Sequence, residues 1–92
     1  MSEELRRTVR IVNRLGMHAR AATSLSEVAS RFDAEVRLEK DGQAARSTSV
    51  IELLLLCGQA GSEVDVVTRG PEAEQALRAV TELIADRFGE GQ

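Results

Sequence analysis

Along RTVRIV, residues 7–12, apolar and polar positions alternate, with Val9 and Ile11 on one face, and this two-residue period predicts a half-buried strand. From Ala19 the period lengthens. Ala22, Leu25, Val28, Ala29 and Phe32 recur at helical spacing with Ser24, Glu27 and Arg31 outside the stripe, which predicts a first helix over residues 19–32. Alternation returns in AEVRLEKDGQAARS, residues 34–47. Val36 and Leu38 face inward, Asp41-Gly42 forms a two-residue turn, and a short return strand completes a hairpin. Ser49 then opens SVIELLLLC. With Glu52 three residues on, it has the form of a capping box, so a short second helix starts there and stops near Gly58 or Gly61. SEVDVVT is the fourth strand, with Val64 and Val66 inward. Gly70-Pro71-Glu72 reads as a helix start, with proline in the first turn and Glu72 and Glu74 at the positive end of the dipole. Ala73, Ala76, Leu77, Val80, Leu83, Ile84 and Phe88 make its buried stripe, and Gly89 its expected C-terminal cap.

The predicted order is βαββαβα. Four strands that each bury one face need helices to cover that face. The arrangement that satisfies this is an α+β open-faced β-sandwich, a four-stranded antiparallel sheet with three helices on one side. No repeat or linker interrupts the 92 residues, so residues 1–92 are expected to form one domain.

Composition narrows the function. At 42% hydrophobic and 29% charged the chain is an ordinary globular protein. A net charge of −3, two Phe and no Tyr or Trp leave neither a basic field nor stacking platforms, so no nucleic-acid partner is expected. The longest apolar run, LLLLC, is far short of the roughly 20 residues that span a bilayer, and no direct membrane binding is expected. The N-terminus has no apolar signal region, and the single Cys57 cannot form an internal disulfide. Both features point to a cytoplasmic protein, with Cys57 as a small buried hydrophobe. One histidine and one remote cysteine do not make a metal-ligand set, and no cofactor is expected.

The only histidine lies at the strand-to-helix junction, in NRLGMHAR. If the helix begins at Ala19, His18 is its cap residue, and the unpaired backbone N–H groups of the first turn face whatever the ring carries. Such a terminus is an anion site. Arg20 is close enough for charge-assisted bonds to phosphate oxygens, and Gly16 allows the tight turn that presents the ring. An imidazole nitrogen is nucleophilic near neutral pH, so the junction suits a phosphoryl carrier.

NRLGMHARAA resembles the active-site motif of the histidine-containing phosphocarrier (HPr) family of the bacterial phosphoenolpyruvate-dependent sugar phosphotransferase system, in which glycine, an aliphatic residue and His-Ala-Arg-Pro-Ala open the first helix. Gly16, Met17, His18, Ala19, Arg20 and Ala22 match, and the element order is also that family's. The resemblance implies that His18 is phosphorylated by enzyme I at its pros nitrogen and donates to the A domains of sugar permeases. Arg20 would assist, and the Ala19, Arg20 and Ala21 backbone would cradle the phosphate. It also makes Ser49 a candidate target of an HPr kinase/phosphorylase, with Ser47 and Thr48 as neighbours easily confused with it. The same likeness puts Met17, Val50, Ile51 and Leu54 on a docking surface for partners. The protein is expected to act as a monomeric carrier and not as an independent turnover enzyme. A regulatory phosphocarrier or binding module of a nitrogen-linked or incomplete phosphotransferase branch, not coupled to sugar transport, is the alternative.

One position departs from the motif: Ala21 stands where the family usually has proline. Alanine keeps an N–H that proline lacks, adding a donor near the phosphate position. Arg6, Arg7, Arg10, Arg14 and Arg20 make the first twenty residues locally basic, which suits phosphate and acidic partners, although strand arginines are commonly only a solvated edge.

Overall fold

The computed structural model describes residues 3–57 and 59–90. Its elements are β1 (Glu4–Arg10), α1 (Ala19–Ala29), β2 (Glu35–Lys40), β3 (Gln43–Arg46), α2 (Val50–Cys57), β4 (Glu63–Arg69) and α3 (Ala73–Ala85), followed by a short 3-10 turn, Arg87–Gly89. All strand pairs are antiparallel, in the spatial order β1-β4-β2-β3. The chain is thus the expected open-faced α+β sandwich. Alternation alone does not give the strand order: β4, last in sequence, sits between β1 and β2.

Leu25 and Ala29 of α1, Leu53 and Cys57 of α2, and Ala76, Leu77, Val80 and Ile84 of α3 close over Val36, Leu38, Val64 and Val66 of the sheet. Burial in this apolar core pushes the Cys57 thiol up to about 11, so it stays protonated and unreactive. The opposite sheet face is polar and laced with ion pairs. Arg6 reaches Glu39 and Asp65 at 2.8 Å each, Arg37 pairs with Glu39 and Glu4 at 2.7 and 2.9 Å, and Arg10 meets Glu63 at 3.0 Å. Between them lies Val67, fully buried on the face that should be wet. Its register neighbours are Arg6 and Arg37, and the apolar stems of these paired arginines cover it. Arg6 and Arg10 are therefore sheet-face ion-pair partners and do not belong to the histidine end.

Several predicted boundaries shift. β1 begins three residues early and stops at Arg10, although Ile11 is still bridged to the loop before β4, its N–H to Ser62 O at 2.9 Å and its carbonyl to Gly61 N at 2.8 Å. α1 ends at Ala29, where Arg31 and Phe32 close tighter turns onto Val28 and Ala29. Pro71 precedes α3, whose N-cap is Glu72, and the Glu72 carboxylate bonds Asp33 N at 2.7 Å instead of capping its own helix. Gly89 does not cap α3. That helix ends at Ala85 with Asp86 as its C-cap, and Arg87 and Phe88, with φ of 55° and 54°, redirect the chain first. Of the two glycines expected to stop α2, Gly58 lies outside the described residues and Gly61 lies four residues past the helix end. The Asp41-Gly42 turn is as expected: φ of 52° and 79° is the twist that a two-residue hairpin needs.

Candidate functional site

The chain between β1 and α1 is held by its own backbone. Gly16 N donates to Asn13 O at 3.1 Å and His18 N to Gly16 O at 3.1 Å, with Gly16 at φ 70° making the turn. Ile11 and Met17 are buried at either side of this loop and pin it to the core. His18 is consequently the N-cap of α1. It has extended φ/ψ of −93°/177°, and its carbonyl takes the first helical bond from Ala22 N at 2.9 Å. Its ring is about a quarter exposed (26%), at the surface and not in the interior.

Both ring nitrogens have partners. Nδ1 accepts a long bond from Ala21 N at 3.4 Å, and Nε2 pairs with the Glu90 carboxylate. Glu90 directly follows the 3-10 turn after α3, and its other oxygen accepts from Asn13 Nδ2 at 3.0 Å. The Asn13 and His18 bonds, with the charge of Arg20, hold the Glu90 carboxyl below the usual carboxylate range. Arg14, Leu15, His18, Ala19, Arg20 and Glu90 line a cavity of about 690 Å³. The first-turn N–H groups, the helix dipole and Arg20 all favour negative charge there, so an anion attached to Nδ1 would sit in a positive field.

The family model described as the PTS HPr component phosphorylation site matches residues 5–86. The chain belongs to the HPr family. It is 38% identical over 88 residues to phosphocarrier protein HPr of Cupriavidus necator, covering 96% of this chain and 99% of that protein. It is 46% identical over 87 residues to phosphocarrier protein NPr of Escherichia coli, covering 94% of this chain and 97% of that one. Among solved structures, HPr-C-His from Thermoanaerobacter tengcongensis superposes with a TM-score of 0.88 at 31% identity, covering 94% of this chain and 97% of that one. Like the HPr-family proteins it matches, this chain is a phosphoryl carrier of the phosphotransferase type.

On this HPr-family frame the predicted residues divide. His18, Ala19 and Arg20 line the cavity, while the Ala21 side chain is buried beneath it with its N–H directed at the ring. Met17 is corrected: at 1% exposure it is core, because the loop turns its side chain inward, so it presents no docking surface. Val50 and Leu54 are half-buried and Ile51 is 66% exposed.

Ser49 caps α2 through one arm of the expected box only. Its Oγ accepts from Glu52 N at 3.2 Å, but Ser49 N already donates to Arg46 O at 3.1 Å. Glu52 instead folds onto Arg46, taking its N–H at 2.9 Å and its guanidinium at 2.6 Å, and this holds the Glu52 carboxyl down at about 2.

Reading the sequence missed Glu90 and Leu15 and left Asn13 without a role. Leu15 and Leu55 are 68% and 83% exposed, and a helical count marks Leu55, four residues after Ile51, as its face-mate. Glu90 carries no local signal, since its role depends on a tertiary turn. Among the described residues no group of three or more His, Cys, Asp or Glu could hold a metal, and no helix is long and apolar enough to cross a membrane.

Proposed function

We propose that His18 is the phosphoryl acceptor, attacking the phosphorus through Nδ1, with Arg20 and the Ala19, Arg20 and Ala21 N–H groups stabilising the bound phosphate. The observation that carries this reading is the Nδ1 atom facing the first turn of α1 at the N-cap, in a cavity that Arg20 also lines. Enzyme I is the donor. The test is incubation with phosphoenolpyruvate and enzyme I, which should yield an acid-labile, alkali-stable phosphoryl group that is lost in His18→Ala. A phosphoryl group that persists in His18→Ala would end the assignment.

Two acceptor readings remain. The HPr likeness supports the A domains of sugar permeases. The higher identity to NPr, 46% against 38%, supports a nitrogen-linked or incomplete branch that phosphorylates regulators without moving sugar. Offering the phosphorylated chain both kinds of A domain separates them by which one drains the label.

Partners dock on Val50, Ile51 and Leu54 of α2 with the exposed Leu55, and on Leu15, which is exposed and lines the cavity. Ser49 is a phosphorylation target for an HPr kinase/phosphorylase. A phosphate on a helix cap sits at the favourable dipole end but repels acidic partners. The functional unit is the whole chain, residues 1–92, acting as a cytoplasmic monomer.

A further inference from the structure

The partners of the His18 ring select its tautomer. Because Nδ1 accepts from Ala21 N, it carries no proton, so the proton of the neutral ring lies on Nε2 and is donated to Glu90. Glu90 reaches this position through an unusual path. Arg87 and Phe88 are both left-handed and turn the chain back from the end of α3. Asn13, fully buried, then fastens the carboxylate, using one side-chain nitrogen for both Gly16 O at 2.7 Å and Glu90 Oε1 at 3.0 Å. Asn13 thus ties the histidine loop and the C-terminal turn together. Arg14 and Arg20 line the same cavity, so the carboxylate sits in a positive environment.

We propose that Glu90 is a positioning residue for phosphoryl transfer: it holds the Nε2–H tautomer that leaves the Nδ1 lone pair facing α1, and it stabilises the positive charge that the ring gains on phosphorylation. This inference rests on His18 being the acceptor. In the step, the Nδ1 lone pair forms the nitrogen–phosphorus bond while the donor's bond to phosphorus breaks and its electron pair stays on the donor. The Nε2 proton does not move. The ring is left cationic, with phosphate on one edge and the Glu90 carboxylate on the other. Donation to an acceptor runs the same step in reverse, and the ring returns to the neutral tautomer it began with.

The test compares the full-length chain with Glu90→Ala and Glu90→Gln, with Glu82→Gln as an exposed control of equal charge change. Ring ¹⁵N shifts of the neutral histidine report the tautomer. The wild type should give well-separated Nδ1 and Nε2 signals, which move toward each other in Glu90→Ala. At a fixed phosphoenolpyruvate-to-pyruvate ratio with enzyme I, the ratio of phosphorylated to free Glu90→Ala should fall about ten-fold, the low end for a hydrogen bond to a charged group. Glu90→Gln still accepts Nε2–H but carries no charge, so it should keep the tautomer and lose only part of the ratio, and Glu82→Gln should change neither. A wild type that takes no phosphoryl group defeats the carrier reading and the Glu90 role together. A wild type that is phosphorylated while Glu90→Ala matches it in both measurements defeats the Glu90 role alone.

Discussion

Replacing Ala21 by proline removes one hydrogen and tests how the site handles charge. Ala21 is the third residue of α1, and its N–H belongs to the first turn, which has no intrahelical acceptor. Its partner is His18 Nδ1 at 3.4 Å. Proline therefore breaks no helical bond and stiffens the unfolded chain, which stabilises by about 0.4–1 kcal/mol, while restricting Arg20 before it acts the other way. The melting temperature should stay within about 8 °C of wild type, equivalent to about 1 kcal/mol.

The effect on transfer is larger and has a definite sign. In the free protein the N–H bonds a neutral nitrogen at long range, worth about 0.5 kcal/mol at the low end of the usual range. The 3.4 Å gap has no room for a phosphorus atom, so phosphorylation at Nδ1 would require the ring to pivot and would release the N–H to a phosphoryl oxygen. A bond to that charged acceptor is worth about 1.5 kcal/mol or more. The charged bond wins by about 1 kcal/mol, so Ala21→Pro should lower the equilibrium ratio of phosphorylated to free protein about five-fold. The assay is phosphorus NMR at a fixed phosphoenolpyruvate-to-pyruvate ratio with enzyme I. A well-folded variant with an equal or higher ratio would refute the reasoning and mean that the Ala21 N–H never reaches the phosphate.

Other outcomes follow from burial and charge. Leu53→Ala, in the core, should cost about 2–5 kcal/mol in urea unfolding, whereas Leu55→Ala, 83% exposed, should stay within about 0.5 kcal/mol while weakening partner docking. Equal costs would mean that α2 is rotated from the orientation described. Ser49→Ala should lose about 1 kcal/mol through the α2 cap, and Ser49→Asp, itself a capping residue, should recover most of it in the same denaturation series. Glu52 titrates at about 2 when folded, below its ordinary value of 4.5, so its contribution is present above pH 4.5 and is lost as pH falls toward 2. Acid melts of Glu52→Gln should lack that part of the decline, and a variant with the wild-type acid profile would show that the Arg46 contact contributes nothing.

Much of the architecture was legible because local rules and burial agree. Alternation located the strands that carry Val36, Leu38, Val64 and Val66, and helical spacing located the stripes of Leu25, Leu53 and Val80, all of which are buried. The start of α3 moved where Glu72 served Asp33 instead, and one arm of the Ser49 capping box was lost where Glu52 served Arg46. Met17 was misplaced because a loop residue has no period from which its direction can be read. Val67 was unreadable for a related reason, since its cover consists of arginine stems locked by carboxylates from other strands.

The functional site splits along the same line. A histidine capping a helix, with Arg20 beside it, is a matter of neighbours a few residues apart, and sequence determines such neighbours through backbone geometry. The ring's second partner is different. Glu90 lies 72 positions away, and it meets His18 only because α3 packs beside α1 and two left-handed residues turn the tail back. Contacts within a turn of helix follow from bond geometry, whereas contacts between distant segments exist only after the core has set the distance between their carriers. Sequence alone therefore determined which nitrogen-bearing group sits at the helix start, and tertiary packing decided which carboxylate holds its far side.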